Sequence, residues 1–115
     1  MSITFDWTTM TGSAYNKQTI ATTSPTTLLT DQQTKGSYRG VVLFVHSTAV
    51  AGTLKVNFID RDNNKRELQS TSVASGTLSA IDFDFPLPRY EVTWTSDAST
   101  SSVVDVEVFP YGAGK

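Results

Sequence analysis

Residues 81–108, IDFDFPLPRYEVTWTSDASTSSVVDVEV, decide the fold, because three segments within them alternate between apolar and polar side chains. The apolar positions are Ile81, Phe83 and Phe85 in the first segment, Tyr90, Val92 and Trp94 in the second, and Val104, Val106 and Val108 in the third. A period of two places the apolar side chains of each segment on one face of a β-strand. Such strands are typical of antiparallel sheets that have one face on the core and the other in water.

The strand pattern continues upstream as far as Tyr38. The apolar run VVLFV at 41–45 predicts a strand that is buried on both faces. A second strand is predicted at 54–58, and the turn-forming segment DRDNNK at 60–65 predicts a hairpin. The polar return strand at 66–70 is expected to lie at a sheet edge.

These patterns predict the fold class and the organisation of the chain. No apolar period of 3.6 residues persists through three helical turns, which disfavours a helical fold. We therefore predict an all-β protein: an antiparallel β-sandwich of the jelly-roll or immunoglobulin-like type, with an N-terminal extended arm. The predicted boundaries are 1–37 for a Thr-rich arm with short strands, 38–110 for the sandwich core and 111–115 for a flexible tail. A partly disordered tail is the alternative for 1–37.

The arm contains one clear strand signal. Ile3, Phe5 and Trp7 alternate with two polar residues, which is the pattern of a strand with one apolar face. An extended segment of this kind can add a strand to the sheet of a neighbouring molecule. We predict that these three side chains anchor the arm to a neighbour by β-pairing.

The composition excludes several kinds of function. The 115 residues fit one domain, and the lack of cysteine excludes disulfides and thiolate metal sites. His46 is the only histidine, so a nucleophile–histidine pair could only be built around it. A formal net charge of −2 argues against binding to a phosphate backbone, which needs a basic face. No apolar run approaches the ~20 residues of a membrane span, and the N-terminal MSITFDWTTM is not expected to be a signal peptide.

Hydroxyl side chains take the place of charged ones. The chain contains 18 Thr and 13 Ser, while charged residues make up only 17% of it, compared with about 25% in average domains. Threonine is β-branched and favours strands over helix interiors. This composition suits an extracellular or assembly-bound β-protein better than a metabolic enzyme.

One acidic motif has the spacing of a metal site. Asp60-x-Asp62-x-Asn64 matches the first half of a calcium-binding loop, in which oxygen ligands occupy alternate positions. Lys65 stands where that loop needs a glycine, and no bidentate glutamate follows at the required distance. We therefore predict a solvated hairpin turn at this position, with a calcium loop as the alternative.

Five carboxylates occupy outward positions of the last three predicted strands and would form an acidic patch if those strands were neighbours. They are Asp82, Asp84, Glu91, Asp105 and Glu107. Paired carboxylates can hydrolyse glycosides, but the reaction needs a cleft and a raised pKa. The prediction is a solvated face or a contact face for a basic partner. No catalytic, cofactor-binding or metal-binding residue is assigned, and the chain is not predicted to be an enzyme.

The aromatic residues near the segment ends are candidates for an interface. They are Trp7, Tyr15, Tyr38 and Tyr111. Tyrosine and tryptophan supply a large contact area at a low entropic cost and often anchor protein interfaces. The alternatives are that they close the ends of the core or that they stack on sugars.

The segment 41–109 resembles a recurring type of small structural protein of tailed bacteriophages. The resemblance is carried by VVLFV at 41–45, GTLKVNFID at 52–60, PLPRYEVTWT at 86–95 and a final Val-rich strand. Its most suggestive element is Leu87-Pro88-Arg89-Tyr90 leading into the next strand. Proteins that resemble this are often capsid decoration (cement) proteins or related head and tail proteins.

The resemblance implies a non-enzymatic protein without cofactors, bound to the exterior of an assembled capsid as a homotrimer that clamps neighbouring subunits. It implies the major capsid protein as partner, no nucleic-acid or membrane partner, and a place in the virion after synthesis in the host cytoplasm. The predicted interface residues are Ile3, Phe5, Trp7, Tyr15, Tyr38, Arg89 and Tyr111. The alternative function is a carbohydrate- or receptor-binding β-sandwich module of a virion or tail, and a glycosidase-like enzyme is the third.

Overall fold

The computed structural model describes residues 14–34 and 38–113, and these residues form eight β-strands. The strands are β1 (Ala14–Ile20), β2 (Thr26–Gln32), β3 (Tyr38–Ser47), β4 (Gly52–Ile59), β5 (Lys65–Val73), β6 (Ser79–Phe83), β7 (Tyr90–Ser96) and β8 (Ser102–Ala113). Within the same residues there is no helix of the length and apolarity that crossing a membrane requires.

The strands make two sheets of four strands each. Sheet I has the order β1-β8-β3-β6, sheet II has the order β2-β7-β4-β5, and every neighbouring pair is antiparallel. The first described strand pairs with the eighth, the second with the seventh, the third with the sixth and the fourth with the fifth. The chain is therefore a long hairpin wrapped into two sheets, which is the jelly-roll arrangement. The predicted all-β sandwich is confirmed.

The core lies between the sheets and is built by the alternating residues that the sequence identified. Trp94, Val92 and Tyr90 on β7 are almost completely buried, as are Val104, Val106 and Val108 on β8. Burying a side chain of this size stabilises the fold by about 1.5–3 kcal/mol. Phe85 departs from the prediction because it follows the end of β6 and is exposed.

The apolar run on β3 is buried on one face only. Val41, Leu43 and Val45 face the core, whereas Val42 and Phe44 are half-buried on the outer side of sheet I. The prediction of a strand buried on both faces is wrong in this respect. The run is continuously apolar because its outer positions belong to a surface patch rather than to a second core.

The segments predicted as an arm and as a tail both contain residues of the sandwich strands. All seven residues of β1 pair with β8, and β2 pairs with β7, so 14–34 contributes a strand to each sheet rather than to an arm. The predicted tail starts inside β8, which continues to Ala113. Ile3, Phe5 and Trp7 lie outside the described residues.

The β4–β5 hairpin explains the calcium-like spacing. Asp60 Oδ1 accepts the backbone N–H groups of Asp62 (2.8 Å) and Asn64 (2.9 Å), and Asp60 Oδ2 lies 3.4 Å from Arg66. Asn63 has a φ of 66°, a backbone conformation that asparagine tolerates better than most residues. Both carboxylate oxygens are thus engaged in holding a turn.

A buried pair of serines joins the start of β8 to the β3–β4 turn. Ser47 donates its only hydroxyl hydrogen to the Val50 carbonyl (2.6 Å), so Ser102 donates to Ser47 (2.7 Å). Ser102 Oγ in turn accepts the backbone N–H groups of Ala49 (3.0 Å) and Val50 (3.2 Å). One hydroxyl therefore satisfies two backbone donors that the turn leaves without sheet partners.

Replacing Ser102 with alanine should destabilise the fold by about 2 kcal/mol, because it leaves these N–H groups unpaired. Ser101→Ala is the matched control, since Ser101 is exposed one position earlier, and it should change the free energy of unfolding by less than about 0.5 kcal/mol. Urea unfolding of both variants measures the difference. Equal stabilities would contradict the assigned role of Ser102.

Candidate binding face on the outer side of sheet I

The outer face of sheet I collects side chains that the sequence places on separate strands. Because side chains alternate along a strand, the residues between the core positions point outward. They are Tyr15, Lys17 and Thr19 on β1; Val103, Asp105, Glu107, Phe109 and Tyr111 on β8; Val42, Phe44 and His46 on β3; and Ala80 and Asp82 on β6.

The strand register arranges these residues in rows. Glu107 lies opposite Tyr15 on one side and opposite Phe44 on the other, so a carboxylate separates two aromatic positions. In the next row Val42 lies between Phe109 and Asp82. Neighbouring strands are about 4.8 Å apart, so both rows fall within one continuous surface.

Four of these residues, Val42, Phe44, Phe109 and Tyr111, form what we call the aromatic patch. They border a shallow depression of about 480 Å³ together with Glu107 and Pro110. The rings of Phe44 and Phe109 contact each other, with centroids 6.1 Å apart and planes inclined by 58°. The patch is mainly apolar, and its rings are tilted rather than coplanar.

Tyr111 lies at one end of the aromatic patch and is held in place by contacts with β3 and β6. Its ring crosses β3 at Gly40. Its one hydroxyl hydrogen is donated to Asp82 Oδ1 (2.5 Å) and is shared weakly with the more distant Phe83 carbonyl (3.3 Å) on β6. The hydrogen bond to Asp82, together with desolvation, raises the pKa of Tyr111. The Arg39 guanidinium lies 5.6 Å from the centre of the same ring, within the range of a cation–π contact.

Gly40 makes this crossing possible. A Cβ at position 40 would lie 2.6 Å from the Tyr111 hydroxyl oxygen and 2.6 Å from the Phe83 carbonyl oxygen. The tyrosine could rotate away, but the backbone carbonyl could not. Glycine is therefore required here by the space available.

The five predicted carboxylates do not form one patch. Asp105 and Glu107 lie on β8, and β3 separates them from Asp82 on β6. Glu91 is on sheet II, where it is buried and bonded to Lys65 Nζ (3.0 Å) and Asn57 Nδ2 (3.0 Å). The condition for one acidic patch is not met, because a jelly roll places consecutive strands β6, β7 and β8 in alternating sheets. No group of three or more potential metal ligands occurs among residues 14–34 and 38–113.

Arg89 forms a clamp at one end of the sandwich. Its Nε and Nη2 atoms donate to the two carboxylate oxygens of Asp31 (2.6 and 3.0 Å), and Nη1 donates to Asn63 Oδ1 (2.8 Å). The clamp joins the end of β2, the β4–β5 hairpin and the start of β7. The hydrogen bond from Arg89 lowers the pKa of Asp31. All three guanidinium nitrogens are thus engaged within the chain.

The structure distributes the predicted interface residues over several places. Tyr15, 51% exposed, and Tyr111 lie on the outer face of sheet I, while Tyr38 starts β3 and Arg89 holds the clamp. Sequence reasoning missed Phe44 and Phe109. The signal for Phe44 was present in the unbroken apolar run at 41–45, which exceeds what a one-sided strand needs.

Gly40→Ala should lower the free energy of unfolding by about 1–3 kcal/mol, as overpacking typically does. Tyr111→Phe keeps the ring and loses only the hydroxyl bonds, so it should cost about 1 kcal/mol. Urea unfolding of the two variants measures the cost of the added Cβ and the cost of the lost hydroxyl separately. A Gly40→Ala protein as stable as the wild type would contradict the assigned role of Gly40.

The Arg89–Asp31 clamp predicts that the stability of the fold depends on pH. Because the folded pKa of Asp31 is lowered, its pairing with Arg89 stabilises the fold above the ordinary aspartate pKa of 3.8. This contribution is lost as the pH falls through the folded pKa. Asp31→Asn should therefore be less stable than the wild type at pH 7, with the difference shrinking under acid. Asparagine tolerates the φ of 47° at this position.

Urea unfolding at pH 7 and at stepwise lower pH measures the effect of Asp31→Asn. Asp97→Asn, which changes an exposed carboxylate at the opposite end of the sandwich, is the control. A gap between Asp31→Asn and wild type that stays constant with pH would rule out the ion pair as its cause.

No protein-family model and no curated protein matches the sequence. Among solved structures, the chain is similar to a Yersinia pseudotuberculosis-derived mitogen, with a TM-score of 0.56 and 12% identity over 92% of each chain. It is more distantly similar to a protein of the disulfide-linked pili of Bacillus endospore appendages, with a TM-score of 0.46 and 8% identity over 97% of this chain and 100% of that one. A family 29 carbohydrate-binding module gives a TM-score of 0.38 and 16% identity over 87% of each chain. The similarity to the mitogen concerns the fold alone, and the other two add nothing to it.

Proposed function

We propose that this chain is a non-enzymatic structural protein of a bacteriophage virion that binds the exterior of an assembled capsid and stabilises it. The single observation that carries the proposal is the aromatic patch on the outer face of sheet I. Phe44 and Phe109 lie on the side of the sheet that faces away from the core, where they contact each other and remain half-buried. The same side chains would contribute binding energy if a partner covered them.

The residues of the most suggestive element of the sequence resemblance build the fold. Leu87, Tyr90 and Trp94 are buried in the core, and Arg89 holds the clamp. Their pattern supports a shared architecture. The decoration role is the function that proteins of this type are expected to have, and the aromatic patch supplies a surface suited to it.

The composition of the patch favours a protein partner. Interface centres are enriched in aromatic residues and surrounded by polar rims. Here Glu107 borders the apolar depression, and Asp82 lies opposite Val42 on the neighbouring strand. The tilt of 58° between Phe44 and Phe109 leaves no flat platform for a sugar ring. A capsid subunit that presents an apolar side chain flanked by basic groups would match this surface.

Decoration needs only a modest contact from each copy. A protein that binds the assembled lattice and not the free subunit stabilises the lattice by mass action. A homotrimer would present the aromatic patch three times, and the linked contacts would reinforce one another. The major capsid protein is the proposed partner, and the capsid exterior, reached after synthesis in the host cytoplasm, is the proposed location.

A carbohydrate- or receptor-binding module is the second candidate. Tyr15 is 51% exposed and lies opposite Glu107 across β1 and β8. An exposed ring beside a carboxylate can stack on a sugar and accept hydrogen bonds from its hydroxyls. This site lies beside the aromatic patch, so the two candidates can be separated by mutation.

Co-sedimentation with expanded empty heads of the parent phage tests the proposal. Phe44→Thr retains strand propensity and removes the ring, so it should weaken binding at least about tenfold, as loss of an interface anchor does. Lys55→Thr changes an exposed residue on the outer face of sheet II and is the control. Circular dichroism and urea unfolding verify that both variants fold.

Wild-type binding by Phe44→Thr, or no binding by the unmodified protein, would refute the capsid proposal. A glycan array separates the second candidate. Binding there that Tyr15→Ala abolishes, without any affinity for heads, would establish the carbohydrate-binding function instead.

A further inference from the structure

The free edge of β5 is a second surface suited to a partner. Among the described strands, β5 pairs only with β4 and therefore ends sheet II. Residues 65–70 are exposed along the whole first part of the strand, on both of its faces. An edge of this length offers backbone N–H and C=O groups to an additional strand.

An apolar groove of about 320 Å³ lies beside this edge. It is lined by Phe58, Leu68, Phe85 and Pro88, with Arg66 and Glu67 also contributing. Leu68 and Phe85 are 39% and 42% exposed. The strand register explains the position of Leu68: Val56 faces Gln69 while Asn57 faces Glu67, so Leu68 is the extra residue of a β-bulge.

We propose that residues 3–7 of a second copy of this chain add as a strand to the free edge of β5 and insert Phe5 and Trp7 into this groove. The segment ITFDW has the alternation of a strand with one apolar face. Strand addition supplies main-chain hydrogen bonds, and the groove supplies contacts for alternate side chains. Asp6 would then lie near a strand that begins with Lys65 and Arg66.

The position of β1 indicates how the segment reaches the groove. Ala14 pairs with Val108, Val108 with Leu43, and Leu43 with Ile81. Residue 14 is therefore level with Ile81 in the middle of β6. The start of β1 is the end nearer to Phe85 and the groove, because Ile20 at its other end pairs with Ser102. Six residues, 8–13, link the docking segment to Ala14, and an extended chain of that length spans roughly 20 Å.

The strand order favours a second copy over the same molecule. In sheet I, β1 and β6 are the two outermost strands, and β5 is outermost in sheet II. The chain therefore enters β1 at one lateral edge, whereas the groove, formed by β5 and the segment after β6, lies at the other. In copies placed side by side, the β1 edge of one molecule meets the β5 edge of the next. Such a head-to-tail contact closes into a ring when the rotation permits.

This contact uses a different surface from the aromatic patch and does not depend on the capsid proposal. Sedimentation velocity of the full chain tests it. The wild type should sediment as an oligomer. A variant with Phe5→Asp and Trp7→Asp, and a second with Leu68→Asp and Phe85→Asp, should each fall to the monomer mass. Leu78→Asp, which changes a side chain that is 62% exposed at the opposite end of the sandwich, should keep the wild-type mass.

Mixing the two defective variants gives the decisive result. One retains the groove and the other retains the segment, so the mixture should form a one-to-one complex with twice the monomer mass. A peptide of residues 1–10, added in excess to the wild type, should lower the oligomer mass without any substitution. A monomeric wild type would overturn the proposal, and it is also the result expected if the segment docks on its own molecule. Unchanged masses for the variants, or a mixture that stays monomeric, would overturn it as well.

Discussion

The register between β8 and its two neighbouring strands determines which side chains enter the core and which lie on the outer face of sheet I. β8 lies between β1 and β3, and its period-two alternation sends Val104, Val106 and Val108 into the core. The same alternation places Glu107 and Phe109 on the outer face of sheet I. A slip by one residue would exchange the two faces and bury carboxylates between the sheets. The core and the aromatic patch are therefore two consequences of one pairing.

The sequence indicated the elements whose patterns are strong. The residues around Trp94 on β7 and Val106 on β8 alternate clearly, and they form the core as expected. β1 was not recognised as part of the sandwich, because it is an edge strand whose only fully buried residue is Ile20. Edge strands lack the apolar period that sequence analysis depends on. The predicted arm thus included a strand of each sheet.

The candidate sites were less accessible to sequence analysis, because they are assembled across the sheet. Phe44 and Phe109 are far apart in the chain, and Arg89 meets Asp31 across a separation of 58 residues. Pairings of this kind follow from topology, and the jelly-roll order could not be derived from alternation alone. One signal was available, since five consecutive apolar residues at 41–45 exceed what one buried face requires. An excess of this kind on a strand indicates an apolar outer face.

The two ends of the sandwich are closed by different chemistry. The Ser47–Ser102 hydroxyl pair is neutral and buried at one end, whereas the Arg89–Asp31 ion pair is accessible to solvent at the other. Dissolved ions screen an exposed ion pair and leave neutral hydrogen bonds nearly unaffected. Raising the ionic strength therefore loosens one end selectively, and it is the end that carries the β5 groove. A higher salt concentration would therefore increase the mobility of that end while the opposite end stays closed.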